Sequence, residues 1–135
     1  GLARDPRVAK ALAKAALREG AGSTGSRLLR GERECFRAAE ERFARFKGTG
    51  RSLYFSSGYL ANLGVLTTFA EEGDVIFSDE LNHASLIDGT RLSKASRVVF
   101  PHNNVDALRQ QLEETRSTGA KFVVVESIFS LERIS

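Results

Sequence analysis

Methionine and tryptophan are absent from these 135 residues, and cysteine occurs once, at Cys35. A single cysteine excludes an internal disulfide and fits a reducing compartment. Long hydrophobic runs are missing too. No stretch approaches the roughly 18 apolar residues that a membrane-spanning helix needs. Residues 1–10 are charged and lack the apolar core of a secretory signal. The expected location is therefore cytoplasmic. Neither sign of charge dominates, because 20 Lys and Arg are interleaved with 17 Asp and Glu for a net charge of +3. Nucleic-acid binding would want a clustered basic face, whereas a phosphate-bearing ligand is compatible with this balance. Histidine is scarce. His83 and His102 stand apart from each other and from Cys35, so no metal-ligand spacing results and no metal is expected. No G-x-S-x-G occurs, which excludes a nucleophile elbow.

What is present is a globular composition, 41% apolar and 27% charged, long enough to bury a core. Pro6 opens a helix, with Val8, Leu12, Ala15 and Ala16 at helical spacing and an end near Gly20. A Gly/Ser/Thr loop follows over residues 20–26. The spacing predicts a second helix over 32–47, with Phe36, Ala39, Phe43 and Phe46 on one stripe and Gly48 and Gly50 at its close. From Arg51 the texture alternates. Strands are expected over 53–55, 75–77, 97–100 and 121–126, and helices over 58–70, 81–93 and 105–115. This alternation argues for an α/β fold with a mostly parallel sheet flanked by helices. Ligands of such sheets bind beyond the carboxyl ends of the strands. Residues 56–59, 78–83 and 126–130 are the polar segments expected there.

Each segment has a plain reading and a functional one. Gly20-Ala21-Gly22-Ser23-Thr24-Gly25 spells G-x-G-x-x-G, but it follows a helix, whereas a dinucleotide fingerprint follows a strand. It reads as a substrate-side loop or a connector. Ser57 could simply cap the next helix. Alternatively, the amides at Gly58 and Tyr59 could seat an anion, helped by the helix dipole. His83 is either an exposed helix-start histidine or a neutral ring that stacks on a flat ligand or moves a proton. Glu126, Ser127 and Ser130 either orient a ligand by hydrogen bonds or make an ordinary turn. Arg27, Arg30, Arg33 and Arg37 could bind an acidic group, although Glu32, Glu34 and Glu40 make a solvated ion-paired face the simpler reading.

Taken in order, four segments resemble the α-oxoamine synthases. They are Gly22-Ser23-Thr24-Gly25-Ser26-Arg27-Leu28-Leu29, Phe55-Ser56-Ser57-Gly58-Tyr59-Leu60-Ala61-Asn62, residues 78–89 around Asn82-His83-Ala84-Ser85, and Glu126-Ser127-Ile128-Phe129-Ser130. The resemblance implies the large domain of the PLP-dependent transferase fold, fold type I, like aspartate aminotransferase. It implies a homodimer with pyridoxal 5'-phosphate (PLP) as cofactor, condensing an amino acid with an acyl-CoA thioester and losing CO2 and CoA. The wording looks most like the member that joins L-alanine to a pimeloyl thioester in biotin synthesis. Members using glycine with acetyl-CoA, those making 5-aminolevulinate and the serine palmitoyltransferases remain alternatives, as does a non-catalytic module that keeps the PLP cleft. By the same resemblance, Gly58 and Tyr59 hold the cofactor phosphate, and His83 stacks on the ring and meets the substrate. Ser130 bonds the cofactor, Glu126 and Asn62 support the site, and the loop with Ser23, Thr24 and Ser26 lines the acyl side.

The sequence also departs from that family. The Asp-x-x-His segment and the lysine segment that would carry the cofactor are not among these residues. The five lysines, Lys10, Lys14, Lys47, Lys94 and Lys121, sit in no such motif. Glu34-Cys35-Phe36 stands where relatives usually carry a histidine, and Glu132-Arg133-Ile134 replaces the usual Asp-Gly-Asp. Both ends of the chain read as cut. The expectation is an amino-terminal piece of a longer enzyme, inactive alone. Residues 1–50 would form the amino-terminal helices and loop, and residues 51–135 an incomplete PLP-binding domain.

Overall fold

A computed structural model describes residues 1–129. Two compact units partition it, Gly1–Tyr54 and a second beginning at Phe55. In the first, Asp5 accepts the Arg7 N–H at 2.8 Å and Pro6 occupies the first turn, so helix α1 spans Pro6–Glu19. Its apolar stripe is real, yet none of its residues is buried. A π-type turn, Arg27–Gly31, follows the Gly/Ser/Thr loop, with the Gly31 N–H bonded to the Ser26 carbonyl at 2.8 Å. A side chain on Gly31 would collide with the Gly25 carbonyl, so this turn needs glycine there. Helix α2 covers Glu34–Lys47 and ends on Gly48 in the left-handed conformation. Phe43 and Phe46 of its stripe are exposed and meet edge-on at 6.4 Å.

The strand expected over 53–55 does not form. The Tyr54 N–H donates to Glu40 Oε1 at 2.8 Å, and its carbonyl accepts from Arg27 at 3.4 Å. Side chains thus take the backbone groups that a ladder would use, and no strand pairs with this stretch among the described residues.

The second unit runs α3 (Gly58–Phe69), β1 (Val75–Asp79), α4 (Ala84–Leu92), β2 (Ser96–Phe100), α5 (Val105–Glu114) and β3 (Lys121–Val124). The sheet is parallel in the order β2-β1-β3, with Val75 opposite both Ser96 and Lys121. Every residue of β1 is buried, as a central strand covered on both faces requires. Ile76 packs with Leu66, Ala70 and Leu86 on the face covered by α3 and α4. Val75 and Phe77 pack with Phe100, Leu108 and Leu112 on the face covered by α5. This is the α/β, mostly parallel architecture that the alternation implied. Helix α4 starts at Ala84 rather than at 81, because Asp79 Oδ1 accepts the Leu81 N–H at 2.9 Å and the Asp79 carbonyl accepts the Asn82 N–H at 3.2 Å. That turn keeps the chain out of the helix until His83 caps it.

Gly89 sets how closely α4 crosses α3. A Cβ there would lie 2.8 Å from Leu66 Cδ1 and 3.2 Å from the Asn62 carbonyl oxygen. Gly89→Val is expected to destabilise the protein by about 1–3 kcal/mol through overpacking, read as a lower urea midpoint. An unchanged midpoint would show that the crossing has slack.

Candidate functional site

Three stretches converge beyond the carboxyl end of the sheet. Asn82 is buried, and its Nδ2 donates to Ser78 Oγ at 3.0 Å and to the Val124 carbonyl at 2.8 Å, tying the end of β1 to that of β3. Its Oδ1 is buried and accepts no hydrogen bond among the described residues. The next residue, His83, donates its backbone N–H to Glu126 Oε2 at 2.7 Å, just past β3. The His83 ring is exposed, and its Nδ1 accepts the Ser85 N–H at 3.1 Å. Ser85 Oγ lies 2.8 Å from that nitrogen and accepts from Asn62 Nδ2 of α3 at 2.9 Å.

The start of α3 supplies donors. Ser57 Oγ accepts the Leu60 N–H at 3.2 Å, and the first intrahelical bond runs from the Ala61 N–H to the Ser57 carbonyl. The N–H groups of Gly58 and Tyr59 precede it and make no hydrogen bond among the described residues. A Cβ on Gly58 would meet nothing within 4 Å, so there is open space beside the backbone at this residue. Outward N–H groups at the positive end of a 12-residue helix suit an anion, and a phosphate fits this donor set. The Tyr59 hydroxyl donates to the Asp88 carboxylate of α4, which pushes the phenol above its ordinary value.

A second polar pair lies at the same sheet edge. His102 Nδ1 sits 2.9 Å from Asp79 Oδ1, and the His102 ring meets Phe129 edge-on at 4.5 Å. Burial pushes the Asp79 carboxyl up. Hydrogen bonds from the Leu81 N–H, His102 and the Asn103 N–H outweigh it and hold the group below its ordinary value.

Comparison with known proteins identifies the family. The sequence profile of the aminotransferase class I and II family matches residues 2–131. The chain belongs to that family. It is similar to an 8-amino-7-oxononanoate synthase of Geobacter metallireducens, 47% identical over 132 residues, which are 98% of this chain and 34% of that protein. Among solved structures it is similar to serine palmitoyltransferase of Sphingomonas wittichii, at 40% identity and a TM-score of 0.91, over 97% of this chain and 33% of that one. A serine palmitoyltransferase variant of S. paucimobilis, solved with bound PLP–myriocin, is 37% identical at a TM-score of 0.90, over 96% of this chain and 34% of that one. The chain thus spans about one third of the length of the relatives it matches. These matches agree with the α-oxoamine synthase resemblance.

Within this family member, the structure brings together three of the residues singled out in the sequence through two short links. His83 meets Glu126 directly and Asn62 through Ser85, while Gly58 and Tyr59 open the helix that carries Asn62. Ser130 lies outside the described residues. Ser23, Thr24 and Ser26 belong to the first unit. There Ser23 Oγ donates to the Gly31 carbonyl at 3.2 Å, and Thr24 and Ser26 are exposed. Sequence reasoning missed Ser85, the Asn82 bridge and the Asp79–His102 pair. The signal for the last was available, because parallel neighbours β1 and β2 put Asp79 opposite Phe100, two residues before His102.

Ion pairs tie the turn after the Gly/Ser/Thr loop to α2. Arg27 bridges Glu32 at 2.7 Å and Glu40 at 2.5 Å, which bears out the paired-face reading of this basic residue. The Arg27 guanidinium, and after it the Tyr54 N–H, hold the Glu40 carboxyl at about 2, below its ordinary 4.5. A depressed carboxyl stabilises the fold above its ordinary value, and that contribution is lost as pH falls through the depressed one. Glu40→Gln is therefore expected to melt below the wild type at neutral pH, with the gap closing as pH falls from 4.5 to about 2. A gap that stays constant across this range would assign the effect to packing instead of charge.

Proposed function

We propose that these residues form the cofactor-phosphate and ring-facing part of a PLP-dependent α-oxoamine synthase. The whole protein would condense L-alanine with a pimeloyl thioester, releasing CO2 and CoA, in biotin synthesis. The observation that carries the reading is that two main-chain amides, Gly58 and Tyr59, unbonded among the described residues, open the helix whose Asn62 reaches the His83 ring through Ser85. The 8-amino-7-oxononanoate synthases at 47–49% identity support the choice of substrates. A second reading, L-serine with a palmitoyl thioester, is favoured by the closer backbone match to serine palmitoyltransferases, TM-score 0.91 against 0.75 for the Francisella tularensis 8-amino-7-oxononanoate synthase. A homodimer acting in the cytoplasm belongs to the same proposal. Among the described residues, no helix is long and apolar enough to cross a membrane.

When bound, PLP supplies an electron sink for negative charge developing at the amino acid's α-carbon. The protein's contribution is to bind and orient. The amides of Gly58 and Tyr59 would hold the phosphate at the positive end of α3. His83, its backbone held by Glu126 and its ring by Ser85, would stack on the cofactor ring and meet the substrate. Asn62 supports it from α3. Ser130 would bond the cofactor, and the loop with Ser23, Thr24 and Ser26 would take the acyl-substrate side.

Gly58→Asp tests the phosphate seat. A carboxylate in the first turn favours the helix but repels a phosphate, so the full-length variant should melt like the wild type yet lose the visible absorbance of bound PLP. Retained absorbance would refute the seat. Thiol release from pimeloyl-CoA with L-alanine, set against palmitoyl-CoA with L-serine, decides between the two substrate pairs. A polypeptide of residues 1–135 alone, supplied with PLP and either pair, should release no thiol, because none of its five lysines lies in the family's cofactor-bearing motif. Robust turnover by it would overturn that expectation.

A further inference from the structure

His83 is anchored at one corner of its ring and open at the other. Its Nδ1 accepts the Ser85 N–H at 3.1 Å. An accepting ring nitrogen needs its lone pair, so Nδ1 carries no proton and the neutral ring's proton sits on Nε2. Toward such a nitrogen the Ser85 hydroxyl, at 2.8 Å, can only donate. Its own lone pair is engaged by Asn62 Nδ2 at 2.9 Å, which turns the hydroxyl proton toward the imidazole. His83 Nε2 makes no hydrogen bond among the described residues, and the side chain is exposed.

Both donors at Nδ1 belong to Ser85, the backbone N–H at 3.1 Å and the hydroxyl at 2.8 Å. The hydroxyl is the nearer donor, and Ser85 is 1% exposed, so water cannot take its place without a rearrangement of α3 against α4. Gly89 holds those helices close, and Asn62 reaches Ser85 across their contact.

We infer that Ser85 is a positioning residue: backed by Asn62, its hydroxyl holds the neutral His83 ring with Nδ1 inward and a single Nε2–H donor outward. The use of that donor rests on the proposed PLP reading. Beside the cofactor it would meet a carboxylate or carbonyl oxygen of the substrate.

The test uses full-length protein with 15N-labelled histidine at mildly alkaline pH. Wild type should show His83 Nδ1 in the unprotonated range of 15N shifts and Nε2 in the protonated range. Ser85→Ala should draw the two signals toward each other as the ring exchanges tautomers, with cooperative melting retained. Ser85→Thr, which keeps the hydroxyl, should follow the wild type. With substrates, Ser85→Ala should lose roughly 10–100-fold in kcat, with less change in KM, as misplacement of a reacting group does. Unmoved signals in a folded Ser85→Ala protein would overturn the inference. If that variant does not fold, Asn62→Ala decides, and unmoved signals there count against it equally. The tautomer readout needs no cofactor. A wild type that binds no PLP, with signals that still shift in Ser85→Ala, would sink the proposed function alone. Static signals with PLP bound would sink the positioning role alone.

Discussion

The Asn82 side chain donates to Ser78 at 3.0 Å and to the Val124 carbonyl at 2.8 Å, and the arrangement of polar groups at the sheet edge depends on that bridge. It joins the last turns of two parallel strands that are far apart in sequence. It also fixes where the chain leaves β1. Buried hydrogen bonds of this kind are costly to leave unmade, so the residue that follows has little choice of position. That residue is His83. Its N–H reaches Glu126 because β3 is the ladder neighbour of β1, with Val124 opposite Ser78.

From this constraint the electrostatics of the edge follow. Backbone donors face outward at the start of α3, and a carboxylate, Glu126, is occupied by a main-chain N–H instead of facing the open side alone. Asp79 stays ionised despite burial because three hydrogen bonds converge on it. The edge therefore combines outward main-chain N–H groups at the start of α3 with an imidazole whose Nδ1 is already engaged by Ser85.

Legibility in the sequence followed the range of the interactions. Helix limits set by Pro6, by Gly48 and by Asn104, whose Oδ1 accepts the Ala107 N–H at 2.9 Å at the start of α5, are local, and α1, α2 and α5 appear close to where spacing put them. The parallel sheet was readable because alternating strands and helices leave few other topologies. The expected strand over 53–55 failed because its hydrogen bonds went to Glu40 and Arg27, partners that no local pattern reveals. The stripes on α1 and α2 show a related limit. Periodicity identifies an apolar face, but Leu12, Phe43 and Phe46 are exposed among the described residues, since spacing says nothing of what covers a face.

By itself the sequence determined most of the elements and the fold class, because each depends on spacing within a few residues or on family wording. Tertiary structure decided which of those residues touch. Asn62 and Ser85 are 23 residues apart, and His83 and Glu126 are 43 apart. Such pairs form only once parallel strands fix a register and Gly89 lets two helices meet, so the partners of the imidazole could be read only from the folded chain.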